Sequence, residues 1–247
     1  MAVVEVVGRD GWAELVLNRP ERRNAIDGEL GVALADCLVD LSTDADVRCI
    51  LLRGAGGAFC SGLDLKAFNA DPEPEWLPRF GAIWRRAHKA LFECSKPVVA
   101  ALERYGINGG AAVALAADLL IAGEGAFIQV GEVQQGLAAP YNMAWLRLRH
   151  GEAVAARLTL TGRRFFGPEL AQLGVAYSCV PDDEVVAETE RLVEQLAAYP
   201  DGSLARIKAT MRAYNDADAD AWFDRATTAG AGRGPGRLRS VDPRAGE

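Results

Sequence analysis

The sequence contains few of the residues that build metal sites or disulfide frameworks. It has two histidines and five cysteines in 247 residues, and the cysteines are widely spaced with no Cys-x-x-Cys pair. An odd number of scattered cysteines is typical of reduced thiols in a cytosolic protein. His88 and His150 each stand beside basic residues in a helical stretch, so we expect surface positions for both. The sequence therefore predicts no metal centre and no disulfide.

A positive charge excess and a long apolar run are also absent. The formal net charge is −7, which argues against nonspecific nucleic-acid binding because phosphate neutralisation needs a basic face. The most apolar run, residues 111–122, is too short to span a bilayer and contains Asp118. The N-terminus has no basic segment followed by an apolar one, as an export signal would. We expect a cytoplasmic protein that binds neither nucleic acid nor a membrane.

Apolar runs alternate with helical patterns over the first 140 residues. Residues 3–7 and 12–17 flank Asp10-Gly11 as in a β-hairpin, and residues 48–53 predict a further strand. Asp27 is placed to cap a helix that continues to about Leu41. A loop over 69–78 leads into a helix that continues to about Phe92. From about Tyr141 the pattern becomes mostly helical, with helices expected over 141–149, 151–160, 182–199 and 201–215 and a strand over 175–180. This alternation predicts one α/β domain.

Two glycine-bearing turns follow runs that are typical of strands. Residues 58–66 contain Ser61-Gly62-Leu63, and residues 105–112 contain Asn108-Gly109-Gly110. Where a strand gives way to a helix across glycine, the first backbone N–H groups have no partner inside the helix. Two such turns that face each other would hold one oxygen between two N–H donors, which is an oxyanion hole. The alternative is that the glycines only permit tight turns.

These turns, with their flanking residues, resemble the crotonase (enoyl-CoA hydratase/isomerase) superfamily. The resemblance includes residues 18–26, 59–65 and 131–137, and the glycine turn that ends at Asp118. It continues through Leu160-Thr161-Gly162-Arg163 and Leu173-Gly174-Val175-Ala176. It covers nearly the whole chain, about residues 3–215, in the order that the family has.

The resemblance implies an architecture with three parts. Residues 1–195 would form a crotonase-like spiral of ββα units, and residues 196–230 would form a C-terminal helical region. Relatives place these helices against a neighbouring subunit, so a homotrimer or hexamer is expected. Residues 231–247 are rich in glycine, arginine and proline and are expected to be a mobile tail.

The resemblance also implies an acyl-CoA or enoyl-CoA substrate. Its thioester oxygen would lie between the backbone N–H groups of Leu63 and Gly109. Coenzyme A enters as part of the substrate, and no covalently bound cofactor is expected. The substrate-binding residues implied by the matched positions are Arg22, Arg23, Ala25, Ser61, Leu63, Lys66, Gly109, Tyr141 and Lys208. For the arginines and for Lys208 the alternative is an ordinary solvent-exposed position.

The acidic residues of the site indicate which reaction the protein would catalyse. Hydratases of the family use two glutamates; the later position is Glu132 here, and the earlier is Ala112, whose methyl group can neither hold nor deprotonate water. Burial among apolar residues would raise the pKa of Glu132, which suits a group that takes and returns a proton. We therefore expect Glu132 to be the single catalytic acid and base, with isomerase-like proton transfer favoured over hydration. The alternative is that Glu132 only caps a helix. Asp64 and Asp118 resemble structural carboxylates of the family.

Two other functions stay open for this sequence. A non-catalytic acyl-CoA-binding protein would keep the fold without the full acid pair, and a decarboxylase or hydrolase would use the same N–H donors. The acyl pocket also departs from the family, because Tyr141, Asn142 and Met143 stand where relatives often have very small residues. No particular acyl group can therefore be inferred by resemblance. Cys60 lies beside the first turn but has no histidine near it in sequence, so we expect a core thiol rather than a nucleophile.

Overall fold

Two sheets carry the architecture of the computed structural model, which describes residues 2–215, 218–231 and 238–242. The strands are β1 (Val4–Gly8), β2 (Trp12–Leu17), β3 (Cys49–Gly54), β4 (Val98–Leu102), β5 (Tyr105–Ile107), β6 (Leu119–Gly123), β7 (Phe127–Gln129), β8 (Arg164–Phe166) and β9 (Ser178–Val180). The larger sheet has the order β1-β2-β3-β4-β6-β9, and the smaller has the order β5-β7-β8. The expected hairpin of β1 and β2 is confirmed as the antiparallel edge of an otherwise parallel larger sheet.

Helices follow the strands in the order that the sequence pattern predicts. They are α1 (Gly28–Thr43), α2 (Leu65–Phe68), α3 (Phe80–Glu93), α4 (Gly109–Ala116), α5 (Pro140–Arg149), α6 (Gly151–Thr161), α7 (Gly167–Gln172), α8 (Val185–Ala197), α9 (Ser203–Ala213) and α10 (Ala219–Ala229). Asp27 caps α1 as expected, because its side chain accepts a hydrogen bond from the Leu30 N–H at 2.9 Å. Short 3₁₀ turns cover Pro20–Arg22, Leu77–Arg79 and Glu132–Gln135.

The larger sheet is covered on both faces. Ile50 and Leu52 of β3 belong to the main core with α1 and α3, whereas Cys49 and Leu51 face a second cluster with Val193 of α8. Successive residues of a strand point to opposite faces, so a strand buried on both sides is apolar at every position. This explains the unbroken apolar run before the first glycine turn. The sheet is therefore a fixed platform, and the turns that follow β3 and β5 are carried on it.

The C-terminal helices complete the core of the same chain. Phe223 of α10 is fully buried, and its ring lies 5.8 Å from that of Tyr141 and 5.5 Å from that of Trp145. A contact of residues 196–230 with a neighbouring subunit stays a prediction. Of the expected tail, residues 232–237 and 243–247 lie outside the described residues, while residues 238–242 lie against the 3₁₀ turn at 132–135. Among the described residues, no helix is long and apolar enough to cross a membrane.

The expected surface position of His88 is wrong. His88 lies on the inner face of α3 and has no solvent exposure. Its Nδ1 accepts a hydrogen bond from Trp145 Nε1 at 2.9 Å, and its ring stacks on Tyr141 at 4.4 Å. Burial lowers the pKa of His88 to about 3, so the imidazole is neutral at neutral pH. His150 is half-buried at the end of α5.

Candidate active site

A cavity of about 790 Å³ lies where the turns after β3 and β5 meet. Both expected N–H donors, Leu63 and Gly109, line it, and so does Glu132. Eight of the nine expected substrate-binding residues are among its lining residues: Arg22, Arg23, Ala25, Ser61, Leu63, Lys66, Gly109 and Tyr141. The structure therefore brings together side chains that the sequence separates by more than a hundred positions.

The first turn directs the Leu63 N–H away from its neighbouring strand segment. Ile26 and Leu63 form an isolated parallel bridge, in which the Ile26 N–H donates to the Gly62 carbonyl and the Asp64 N–H donates to the Ile26 carbonyl. Backbone groups alternate in direction along an extended segment, so the intervening N–H of Leu63 points to the opposite side. Within the described residues it donates to no backbone carbonyl. The first turn therefore supplies an unpaired donor to the cavity.

The second turn places Gly109 at the start of α4. Asn108, which precedes it, has a φ of 49° and a ψ of −110°, a backbone conformation that L residues rarely adopt. This conformation is held from both sides: the Asn108 N–H donates to the Gln129 carbonyl at 2.8 Å, and Asn108 Oδ1 accepts from the Gly131 N–H at 2.8 Å. As the first residue of the helix, Gly109 has no intrahelical acceptor for its N–H. A second donor is thereby fixed at the cavity wall.

The two turns are in backbone contact. A Cβ at Gly110 would lie 2.5 Å from the Cys60 carbonyl oxygen, and a Cβ at Gly62 would lie 2.8 Å from the Ile107 carbonyl oxygen. Gly62 also has a φ of 89°, which favours glycine. A Cβ at Gly109 would be 3.8 Å from the Leu63 side chain, so the two residues lie close together. Glycine at these positions therefore sets the distance between the turns rather than only permitting each turn.

Glu132 is the carboxyl group of this site whose pKa is raised above its ordinary value. Desolvation by burial raises it to about 7, while its own backbone N–H and the Asn142 side chain act in the opposite direction. Asn142 Nδ2 donates to Glu132 Oε1 at 2.9 Å, and Glu132 Oε2 is buried without a partner among the described residues. Ala112 of α4 is buried and carries no acid. The site thus holds a carboxyl group that is near its titration midpoint at neutral pH.

Three cations stand at the mouth of the cavity. Arg22, Arg23 and Lys66 are exposed, and none of them forms an ion pair within the described residues. Arg19, from the same arginine-rich turn, is different: its guanidinium pairs with Asp27 at 2.8 Å and Asp64 at 3.1 Å. The arginine cluster therefore divides into an inward residue that holds the turn and outward residues that are available to an anion.

Lys208 does not line this cavity, and the expected alternative of an exposed position is wrong. Lys208 is 4% exposed. Its ammonium group donates to Asp118 Oδ2 at 2.7 Å and to the Lys96 carbonyl at 2.8 Å. Asp118 also accepts from the Val98 N–H, and nearby Lys208 and Arg149 keep the pKa of its carboxyl low despite burial. The structural role expected for Asp118 is confirmed, and Lys208 is its partner.

Two further residues beside the first turn have structural roles. Asp64 caps α2 by accepting from the Ala67 N–H at 3.2 Å and pairs with Arg19. Cys60 is fully buried, and its thiol donates to the Asn24 carbonyl at 3.0 Å. Burial raises the pKa of the Cys60 thiol to about 12, so the thiolate that a nucleophile requires is not formed at neutral pH. The expected core role of Cys60 is confirmed.

Our sequence analysis did not identify two parts of the cavity wall. Phe80 and Trp84 of α3 line the cavity beside Tyr141, and Trp84 is 3.6 Å from the position of a Cβ at Gly109. Their spacing of four residues puts both on one face of α3 and is a pattern that could have identified them. Residues 238–241 of the C-terminal segment form another wall, and no short-range pattern predicts that placement.

This geometry agrees with comparisons to known proteins. A family model described as enoyl-CoA hydratase/isomerase matches residues 8–225. The chain belongs to the enoyl-CoA hydratase/isomerase family. Membership of the crotonase superfamily and the α/β crotonase-like fold, both expected from the motifs, are confirmed.

Similar proteins of this family carry several reaction names. The chain is 34% identical over 216 residues to 1,2-epoxyphenylacetyl-CoA isomerase of Escherichia coli strain K12, covering 85% of this chain and 80% of that protein. It is 32% identical over 211 residues to carnitinyl-CoA dehydratase of Proteus mirabilis, covering 84% and 79%. An enoyl-CoA hydratase/isomerase structure from Pseudoalteromonas atlantica has a TM-score of 0.80 at 29% identity, covering 91% and 88%. The family and its acyl-CoA chemistry are shared, while the named reactions differ.

Proposed function

We propose that this protein transfers a proton between carbons of an enoyl-CoA or acyl-CoA thioester, with isomerase-like chemistry favoured over hydration. The N–H groups of Leu63 and Gly109 hold the thioester oxygen as negative charge develops on it. Donors of this kind contribute about 3–4 kcal/mol each to the stability of such a charge. Glu132 is the single acid and base that removes and returns the proton.

One observation carries this proposal: the cavity that contains both donor turns contains Glu132, whereas Ala112 provides no second acid. A general acid and base works best when its pKa is near the working pH, and the pKa of Glu132 is about 7. Hydration needs a group that holds and deprotonates water as well as one that supplies a proton. A single titrating carboxyl group supports transfer between two carbons instead.

The ends of the substrate have different surroundings in this proposal. Arg22, Arg23 and Lys66 bind phosphates of coenzyme A, with Ser61 and Ala25 lining the groove between them and the donors. The acyl group extends toward Tyr141 and the neighbouring Phe80 and Trp84. A relative of this chain is named as an isomerase of an epoxyphenylacetyl thioester. A substrate panel therefore includes aryl-substituted acyl groups as well as straight enoyl chains.

The proposal includes the setting in which the enzyme works. We place it in the cytoplasm, which the five free thiols support. We propose a homotrimer or hexamer, because members of the family commonly assemble in this way. Lys208 takes no part in binding coenzyme A within one chain, since its ammonium group is paired with Asp118.

The decisive experiment combines a substrate panel with one variant. Mass spectrometry of products, and deuterium uptake from D2O at the carbon next to the thioester, identify the reaction. Wild type is expected to exchange that proton or move a double bond faster than it hydrates crotonyl-CoA. Glu132→Gln is expected to lower turnover by about a hundredfold or more while thioester affinity stays nearly unchanged. If neither protein exchanges protons and both bind thioester, the chain is an acyl-CoA-binding protein; rapid hydration by wild type would contradict the assignment of a single acid.

A further inference from the structure

Asn142 connects Glu132 to the turn that precedes Gly109 through two hydrogen bonds. It is buried in the first turn of α5, and its Nδ2 group donates twice: to Glu132 Oε1 at 2.9 Å and to the Asn108 carbonyl at 3.0 Å. Asn108 immediately precedes Gly109, and its own side chain holds Gly131, which immediately precedes Glu132. The two amide side chains therefore cross-link the acid-bearing loop to the donor-bearing turn.

Two acceptor atoms of this arrangement are left without partners. Glu132 Oε2 and Asn142 Oδ1 are both buried and form no hydrogen bond with the described residues. A buried acceptor without a donor is costly, and two of them on a pair of side chains that already share one hydrogen bond call for an explanation. Because a carboxylate and an amide oxygen are both acceptors, no bond joins them until a proton lies between them. One proton on Oε2 would satisfy both.

We propose that Asn142 is a positioning residue that pairs with both protonation states of Glu132 and holds the proton of the acid form between Glu132 Oε2 and its own Oδ1. This inference rests on the proposed function. When the acid reacts, the Oε2–H bond and its hydrogen bond to Oδ1 break, and the electron pair of the O–H bond stays on the carboxylate. The new C–H bond forms with an electron pair of the thioester enolate, which thereby loses its negative charge. Nδ2 continues to donate to Oε1, so the carboxylate keeps its place for the return step.

An amide suits this position better than other side chains. Asn and Gln alone present a donor and an acceptor side by side without a charge of their own, so they accommodate a carboxylate and a carboxylic acid alike. Nine other titratable side chains line the cavity with Glu132: Glu21, Arg22, Arg23, Asp64, Lys66, Tyr105, Tyr141, Arg164 and Arg239. None of them forms an ion pair with Glu132 within the described residues. The balance between the two states of Glu132 is therefore set by burial, by its own backbone N–H and by Asn142.

Infrared difference spectroscopy on the ligand-free protein tests this directly. The spectrum of wild type minus Glu132→Gln isolates the C=O band of the protonated Glu132 carboxyl. In wild type we expect that band at pH 5 and its loss with a midpoint at about pH 7. In Asn142→Leu we expect the band at higher wavenumber, because the hydrogen bonds to the acid are gone. The midpoint should rise by on the order of one pH unit. The variant loses the hydrogen bond from Nδ2 to the charged carboxylate, which is stronger than the hydrogen bond from the neutral acid to Oδ1.

Two more variants make the test robust. Asn142→Asp keeps the shape and places two carboxyl groups together, so the pair should hold one proton with a midpoint well above that of wild type. Met143→Leu, on the same helix, should leave band and midpoint unchanged. In turnover, Asn142→Leu should lower kcat by about tenfold or more without weakening thioester binding, and the rate should follow the shifted midpoint.

Specific results would overturn the pairing. If Asn142→Leu or Asn142→Asp has the band and midpoint of wild type, Asn142 is only a packing residue. If Asn142→Leu does not fold, Asn142→Asp decides alone. Because the spectra need no substrate, this outcome is separate from that of the proposed function. Absence of thioester turnover by wild type would contradict the function and leave the spectra unaffected.

Discussion

Glu132 makes the stability of the folded chain depend on pH in a predictable direction. The pKa of its carboxyl is about 7 in the folded chain, against an ordinary value of 4.5. Because the folded-state pKa is raised, the stability contribution is fully present below the unfolded pKa and is lost as pH rises through about 7. Each pKa unit corresponds to about 1.36 kcal/mol. A charged Glu132 should therefore cost the folded chain about 3 kcal/mol above pH 7.

Glu132→Gln removes that cost because an amide does not titrate. The free energy of unfolding of the variant minus that of wild type should be about 2.5 kcal/mol larger at pH 8 than at pH 5. Urea unfolding of both proteins at both pH values measures this, since groups common to the two chains cancel in the comparison. The same variant is expected to lose activity, so stability and turnover should change in opposite directions. A stability difference that is equal at pH 5 and pH 8 would refute the raised pKa and with it the argument for a neutral-pH acid and base.

Two further predictions concern the donors and the cations. Gly109→Val should abolish turnover while the fold survives, because the valine side chain would enter the space between Ile26, Trp84 and Leu63. A Cβ alone would already be 3.0 Å from Ile26. Circular dichroism tests folding, and normal turnover by a folded variant would exclude this turn as a donor. Isothermal titration should give a lower Kd for an acyl-CoA than for the matching N-acetylcysteamine thioester, and Arg22→Ala with Lys66→Ala should remove most of the difference. Equal affinities in wild type would contradict a nucleotide site at these cations.

Local sequence patterns were sufficient to predict the strands and helices whose own residues contain a turn, a cap or a periodic apolar pattern. The hairpin and the Asp27-capped α1 follow from residues within the element, and both are confirmed. Strands β5, β7 and β8 have three residues each, which is too short for a periodic pattern, so their assignment depends on pairing in the fold. The position of His88 was wrong because we considered its charged neighbours. Trp84, His88 and Phe92, four residues apart, define the buried face of α3 and were the better signal.

The family motifs predicted the positions of the donors and of the acid, but the sequence could not establish how these residues are connected. Glu132 and Gly109 are predicted from short motifs, and the cavity contains both. Asn142 stood out only as a residue larger than expected, since its two hydrogen bonds depend on how α5 packs against the second turn. For Lys208 the match to a basic position of the family suggested a phosphate contact, whereas its burial beside Asp118 depends on how α9 packs. Sequence therefore identified chemical groups more reliably than it identified their partners.

The segment at 238–242 has a practical consequence for anyone who expresses this protein. Side-chain amides hold its backbone: Gln129 donates to the Asp242 carbonyl at 2.9 Å, and Asn69 donates to the Leu238 carbonyl at 3.1 Å. Val241 packs where a Cβ of Gly131 would be, 2.6 Å from its nearest methyl carbon. A truncation that removes residues 238–242 would delete these hydrogen bonds and one wall of the cavity. A shortened version of the protein should therefore keep this segment.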